Sequence, residues 1–144
     1  MTEIHAGMLW VSSRAGLNDL RMLHDQGVSA VVDVALEEQP CGLPREFVYL
    51  RYPLNDGAGN NRSMLKLLLR SVFGLLDSGT PTAVACSAGL SRSPTVAAFG
   101  LAHVLSIDPA EAIERIADKK PVDIKDSLWA EVREAYRTLK SASD

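Results

Sequence analysis

Thr82-Ala83-Val84-Ala85-Cys86-Ser87-Ala88-Gly89-Leu90-Ser91-Arg92-Ser93-Pro94-Thr95-Val96-Ala97-Ala98-Phe99 is the stretch on which the reading of this chain turns. Thr82 to Ala85 is a short apolar run that predicts a buried strand, and Pro94 to Phe99 predicts a helix with proline in its first turn. Between them lie one thiol, one guanidinium and otherwise small or uncharged residues. A strand that breaks into such a loop and then starts a helix aims several backbone N–H groups at one point. That point suits a tetrahedral oxyanion, with Cys86 entering it, Arg92 closing it and Gly89 allowing a backbone conformation that a side chain disfavours.

Outward from this stretch the pattern is that of alternating strands and helices. Met8-Leu9-Trp10-Val11 predicts a short strand, Ala15 to Gln26 a helix stopped by Gly27, and the β-branched run Val28 to Ala35 a strand buried on both faces. Glu37 to Arg45 holds Pro40, Gly42 and Pro44 and is expected to be a loop, and Phe47 to Leu54 alternates as a strand. Asn55-Asp56-Gly57-Ala58-Gly59-Asn60-Asn61 forms a second loop. Leu65, Leu68, Leu69, Val72, Phe73 and Leu76 then keep the spacing of a helical core face that ends at Gly79. Asp108-Pro109-Ala110-Glu111 opens another helix with an aspartate cap, a first-turn proline and an acidic third position. A last helix runs from about Ser127 to Lys140, and Ser141 to Asp144 is expected to fray. Early strands and late helices predict one α/β domain over residues 1–144, with a small central, mostly parallel sheet flanked by helices.

Composition narrows the class. The chain has 144 residues, enough for one domain with a sizeable core, and its 47% apolar and 23% charged residues are those of an ordinary globular protein. A net charge of −3 and a pI of about 5.6 argue against broad electrostatic binding of nucleic acid or an anionic membrane. Met1 to Ala6 lacks the basic-then-apolar pattern of a signal peptide, and two cysteines, Cys41 and Cys86, make no disulfide framework. A reducing, cytoplasmic setting is the expectation, in which a nucleophilic thiol persists. His5, His24 and His103 are scattered and form no cluster with cysteine, so neither a metal nor another cofactor is expected.

Thiols attack as thiolates, and a helix N-terminus, converging amides and a nearby arginine all favour that anion. The same groups hold a phosphate: Arg92 binds two oxygens through its planar fork, as lysine could not. For a bare C-x5-R match, a buried structural cysteine beside a surface arginine is the simpler explanation. The small residues between, the strand and helix flanks, and the Ser-Pro that follows Arg92 favour the chemical one.

With these residues in place the chain resembles the cysteine-based protein phosphatases, and most closely the compact dual-specificity phosphatases, whose motif is Cys-Ala/Ser-x-Gly-x-Ser-Arg-Ser. Ile4 to Ser12 resembles that family's opening hairpin, Gly27 to Ala35 its apolar strand, Tyr49 to Asp56 the strand leading to its general acid, and Ala112 to Pro121 its helix and basic-Pro turn. The resemblance implies a tyrosine-phosphatase-like fold, with Cys86 as nucleophile and Arg92 as phosphate clamp. It makes the amides of Ser87, Ala88, Gly89, Leu90, Ser91 and Arg92 the cradle, and has Ser93 assist breakdown of the phosphoenzyme. Asp56 is the general acid by that likeness; read locally, Asn-Asp-Gly is better explained as an ordinary turn. Ala85 stands where the family has a histidine that orders the loop and tunes the thiolate, so a reduced or retuned rate is expected.

The function expected from the resemblance is a metal-independent phosphomonoester hydrolase acting on phosphotyrosine and phosphoserine/threonine of a protein substrate. A phosphoinositide, a nucleotide or an RNA 5′ end is the alternative substrate, which the neutral side chains of Ser87, Ala88, Leu90 and Ser91 disfavour. A phosphate-binding module without turnover is the alternative of another class, and sulfur transfer a more distant one. Among the remaining carboxylates, Asp33 stands at a strand end where it could brace backbone amides, whereas Glu37, Glu38, Asp123 and Asp126 are expected to be solvated. Cys41 is expected to be an inert loop cysteine, and the sequence is silent on oligomeric state.

Overall fold

The computed structural model describes residues 1–143. Strands β1 (Thr2–His5), β2 (Leu9–Ser13), β3 (Ala30–Ala35), β4 (Val48–Leu54) and β5 (Thr82–Cys86) form one sheet in the order β1-β2-β5-β3-β4. β1 and β2 are an antiparallel hairpin, and every other pairing is parallel. Helix α1 (Leu20–Asp25) joins β2 to β3 and α2 (Arg62–Asp77) joins β4 to β5. Helices α3 (Arg92–Leu105), α4 (Pro109–Lys119) and α5 (Asp126–Ser143) close the chain.

Strand side chains alternate between the two faces of the sheet. Val32, Val34, Val84 and Cys86 point into the larger core, with Leu65, Leu69, Phe99, Ile116, Leu128 and Val132 of helices α2 to α5. Trp10, Val31, Ala83 and Ala85 point the other way, onto Leu17, Leu23 and the partly buried Cys41, Leu43 and Phe47. The sheet is therefore covered on both sides, as its β-branched strands predict.

Parallel topology positions the site. β3, β4 and β5 run the same way, so the loops that leave their C-terminal ends emerge at one edge of the sheet. That edge receives Glu37 after β3, Asp56 after β4 and the Cys86 loop after β5. It is the edge where open parallel sheets bind ligands.

Two local expectations are corrected. The helix expected over 15–26 is broken: a 3-10 turn, Ala15–Asn18, stops at Asp19, whose side chain accepts the Met22 N–H at 3.0 Å and restarts the chain as α1. An aspartate offers the backbone an alternative partner, and here it makes a cap inside the apolar pattern. The tail expected to fray continues α5 through Ser143; Asp144 lies outside the described residues.

Candidate active site

Cys86 ends β5 and is 2% exposed. Its Sγ lies 3.1 Å from Ser93 Oγ and receives the Gly89 N–H at 3.2 Å. Gly89 has φ +75°, and a Cβ there would meet the backbone of Ser13 and Ser12 at 3.2–3.4 Å, so glycine is required both by dihedral and by space. α3 starts at Arg92 without a side-chain cap, because Ser91 Oγ is turned away to accept the Lys125 N–H at 3.2 Å. The first-turn amides of a 14-residue helix are thereby left to face an anion.

Arg92 is 5% exposed and braced on two sides. Nη1 donates to Leu54 O at 3.0 Å and to Glu37 Oε2 at 3.0 Å, while Nη2 donates to Glu37 Oε1 at 2.6 Å. Burial alone would weaken its charge, but Glu37, with the charges of Cys86 and Asp56, raises its pKa above an already high ordinary value. Glu37 also accepts the Ser87 hydroxyl. Arg92 holds the Glu37 carboxyl below its ordinary value, against a smaller effect of burial. The expectation that Glu37 is merely solvated is thus corrected. It stands at the mouth of the site because β3 and β5 are parallel neighbours.

The Glu37 loop is itself pinned. Asp33 is fully buried and accepts the Tyr49 hydroxyl at 2.6 Å and the Ala35 N–H at 3.1 Å. Arg14 Nε lies 3.2 Å from Asp33 without hydrogen-bond alignment, so charge holds that pair, and its Nη2 donates to Gln39 O. Tyr49 Oη in turn accepts the Cys41 N–H at 2.8 Å. Arg51 reaches the carbonyls of Ala35, Leu36 and Glu38. Asp33 does brace an amide, as expected, but from inside β3 and as the centre of a network.

The connector between α4 and α5 straps the other side of the Cys86 loop. Lys120 Nζ donates to Gly89 O, the Asp123 N–H to Leu90 O at 2.8 Å, and the Lys125 N–H to Ser91 Oγ. Burial lowers the Lys120 pKa and the charge of Cys86 partly restores it. Ala85 is fully buried on the face opposite Cys86, level with Ser12 and Asp33 on the flanking strands. The loop is ordered around a methyl group at that position by this strap and by the Arg14 N–H on Ser87 O at 3.3 Å.

Asp56 is exposed, and lines a cleft of about 150 Å³ with Cys86, Ser87, Ala88, Leu90, Ser91, Arg92, Asp123 and Lys125. Every residue named from the sequence for this chemistry meets here. Glu37, Lys120, Asp123 and Lys125 were not legible in the same way; the basic-Pro turn at Lys120-Pro121 was the one local signal for the strap. A buried sulfur that receives the Gly89 N–H and shares a hydrogen bond with Ser93 Oγ, beside a braced guanidinium and an exposed carboxyl, can hold a phosphoryl group, attack it and protonate what leaves.

A family model described as "Tc-R-P: Polymorphic toxin system, DSP-PTPase phosphatase" matches residues 6–104. No curated protein matches the chain. Among solved structures, human DUSP28 superposes with a TM-score of 0.85 at 19% identity, covering 99% of each chain. The human tyrosine phosphatase-like serine/threonine/tyrosine-interacting protein gives 0.79 at 18% identity, covering 98% of this chain and 97% of its own. PTPMT1 gives 0.77 at 23% identity, covering 99% of each, and has also been solved in complex with PI(5)P.

Proposed function

Because the chain belongs to the Tc-R-P family of DSP-PTPase phosphatases, a cysteine-dependent phosphatase family, we propose that it hydrolyses phosphomonoesters of phosphoproteins through a phosphocysteine. The observation that carries this is the Cys86 sulfur, bonded by Ser93 Oγ and the Gly89 N–H at the end of a buried strand and faced by Arg92.

Cys86 Sγ attacks phosphorus in line with the ester oxygen; the S–P bond forms as the P–O bond breaks, and Asp56 gives its proton to the leaving oxygen. The loop amides and Arg92 hold the three equatorial oxygens through this step. Asp56, now a carboxylate, takes a proton from water as that water attacks the phosphocysteine. The S–P bond breaks, inorganic phosphate leaves, and the returning thiolate is met by Ser93 Oγ–H and the Gly89 N–H. Glu37 keeps the guanidinium oriented.

Support for a protein substrate is the size of the cleft. At about 150 Å³ it is smaller than the roughly 300 Å³ at which small-molecule pockets begin. It fits a phosphoryl group and its first neighbouring atoms, leaving the rest of the substrate on the surface. The neutral side chains of the loop give no hold on a nucleotide base. Both phosphotyrosine and phosphoserine/threonine are accepted on this account. The family's description sets it in polymorphic toxin systems, and removing phosphate from phosphoproteins in a cytoplasm, where the thiol stays reduced, fits that setting.

A phosphoinositide is the second reading, favoured by Lys125 at the cleft and by the PI(5)P complex of PTPMT1. Turnover of a panel of phosphopeptides and phosphoinositides, each beside Cys86→Ser, separates them. Cys86-dependent release from phosphopeptides is the expected result. Release confined to phosphoinositides would assign the lipid, and no release from either would leave a phosphate-binding module.

A further inference from the structure

Glu131 lies on α5, seventy-five positions from Asp56 in the chain, yet it reaches the loop that carries Asp56. Its Oε2 accepts the Gly59 N–H at 3.0 Å, and its Oε1 accepts the Asn60 N–H at 3.1 Å and the Asn60 Nδ2–H at 3.0 Å. The Asn60 side chain completes the connection. Its Oδ1 accepts the Asn55 N–H at 2.8 Å and its Nδ2 donates to Gly57 O at 3.0 Å. One amide therefore grips the residues immediately before and after Asp56, and one carboxylate grips that amide.

The anchor is rigid. Leu128, Val132 and Ala135, which flank Glu131 on α5, are fully buried in the main core. The far end of the loop is fixed as well, since Asn61 caps α2 by accepting the Met64 N–H at 3.0 Å. Asp56, at the exposed apex, makes none of these bonds. An exposed loop with two glycines and three asparagines would otherwise sample many conformations, and a general acid must stand within hydrogen-bond reach of one leaving oxygen.

We propose that Glu131, acting through Asn60, is a positioning residue that holds the Asp56 loop in register with the scissile bond. This deepens the proposed function and rests on Asp56 being the general acid. Neither Glu131 nor Asn60 touches the phosphoryl group, so their loss leaves phosphate recognition by the Cys86 loop unchanged and weakens the two proton transfers of Asp56, to the leaving group and from the attacking water.

Leaving-group dependence reads that distinction. Phenyl phosphate needs its leaving oxygen protonated, whereas 2,4-dinitrophenyl phosphate expels dinitrophenoxide, a stable anion that needs no proton. Glu131→Ala and, separately, Asn60→Ala should lower kcat/KM for phenyl phosphate, which reports the step that forms the phosphocysteine, by about 10-fold, part of the 10² to 10⁴ that a positioned acid contributes. kcat/KM for the dinitrophenyl ester and vanadate affinity should stay within about twofold, and Glu131→Gln, which keeps one acceptor, should fall between wild type and Glu131→Ala. Retained turnover of the dinitrophenyl ester also establishes that the variants fold. Equal loss on both esters, or no loss on either, would overturn the positioning role. Asp56→Ala runs alongside: if it shows no leaving-group dependence, Asp56 is not the acid and the underlying mechanism fails, whatever the Glu131 variants do.

Discussion

Glu37 and Arg92 meet as a double pair, Oε1 2.6 Å from Nη2 and Oε2 3.0 Å from Nη1, across fifty-five positions of sequence. The carboxylate takes one side of the guanidinium and Leu54 O takes another hydrogen of Nη1. What remains of the fork is held still and turned to the cleft. A carboxylate beside a phosphate site would repel substrate were it not neutralised, and here the arginine neutralises it.

Replacing Glu37 with alanine frees the guanidinium and leaves Ser87 without its partner. A small displacement of a group that clamps the transition state costs up to about 10²-fold in rate. The Glu37→Ala variant should therefore lose about that factor in kcat/KM on para-nitrophenyl phosphate, with Glu37→Gln losing less because its amide oxygen still accepts from Arg92. Equal activity in all three proteins would show that Arg92 needs no brace.

The same pair sets a pH dependence of stability. Arg92 lowers the Glu37 pKa in the folded protein below its ordinary 4.5. A lowered carboxylate contributes stability above its unfolded pKa and loses it as pH falls through the folded one. Thermal melts should find wild type more stable than Glu37→Gln near neutral pH, with the gap closing below pH 4.5. A gap that widened on acidification would have the sign wrong.

Gly89→Ala tests the loop backbone. A non-glycine residue at positive φ costs about 1–3 kcal/mol, and the new Cβ would press on Ser12 and Ser13 backbone as well. The melting temperature should fall by about 3 °C or more, and turnover should fall further than stability alone explains, because the Gly89 N–H that faces Cys86 moves with the strain. An unperturbed melt and rate would mean that the loop tolerates a side chain there.

Tyr49→Phe removes a donor to buried Asp33 and an acceptor for the Cys41 N–H in one change. Leaving a buried carboxylate short of a partner costs about 1–3 kcal/mol, measurable by denaturant titration. Little change would mean that Arg14 and the Ala35 amide satisfy Asp33 without it.

What could be read in the sequence was what is local. Cys86, Arg92, Ser93 and the small residues between them sit in one unbroken segment. The Asp108 cap closes on Ala110 two residues away, as its motif predicts. Glu37 and Glu131 carried no such signal. Each is an ordinary charged residue until the sheet order sets the end of β3 beside that of β5, or α5 packs against the main core within reach of the Asp56 loop. The Ala85 departure was visible, but its consequence was not, because the strap from Lys120, Asp123 and Lys125 is made largely by backbone groups and by a connector without regular structure. The break at Asp19 escaped for a related reason: apolar spacing ran on through it while the aspartate side chain capped a new helix.

The central claim is that catalysis passes through a covalent phosphate on Cys86. Asp56→Ala protein, mixed with para-nitrophenyl phosphate in the presence of a chelator and quenched in acid within the first turnover, should carry a phosphoryl group on the peptide containing Cys86 by mass spectrometry. The trapped amount should match the first burst of nitrophenol, and Cys86→Ser should show neither burst nor turnover. Sustained turnover by Cys86→Ser, or a burst with no phosphate on that peptide, would contradict the account.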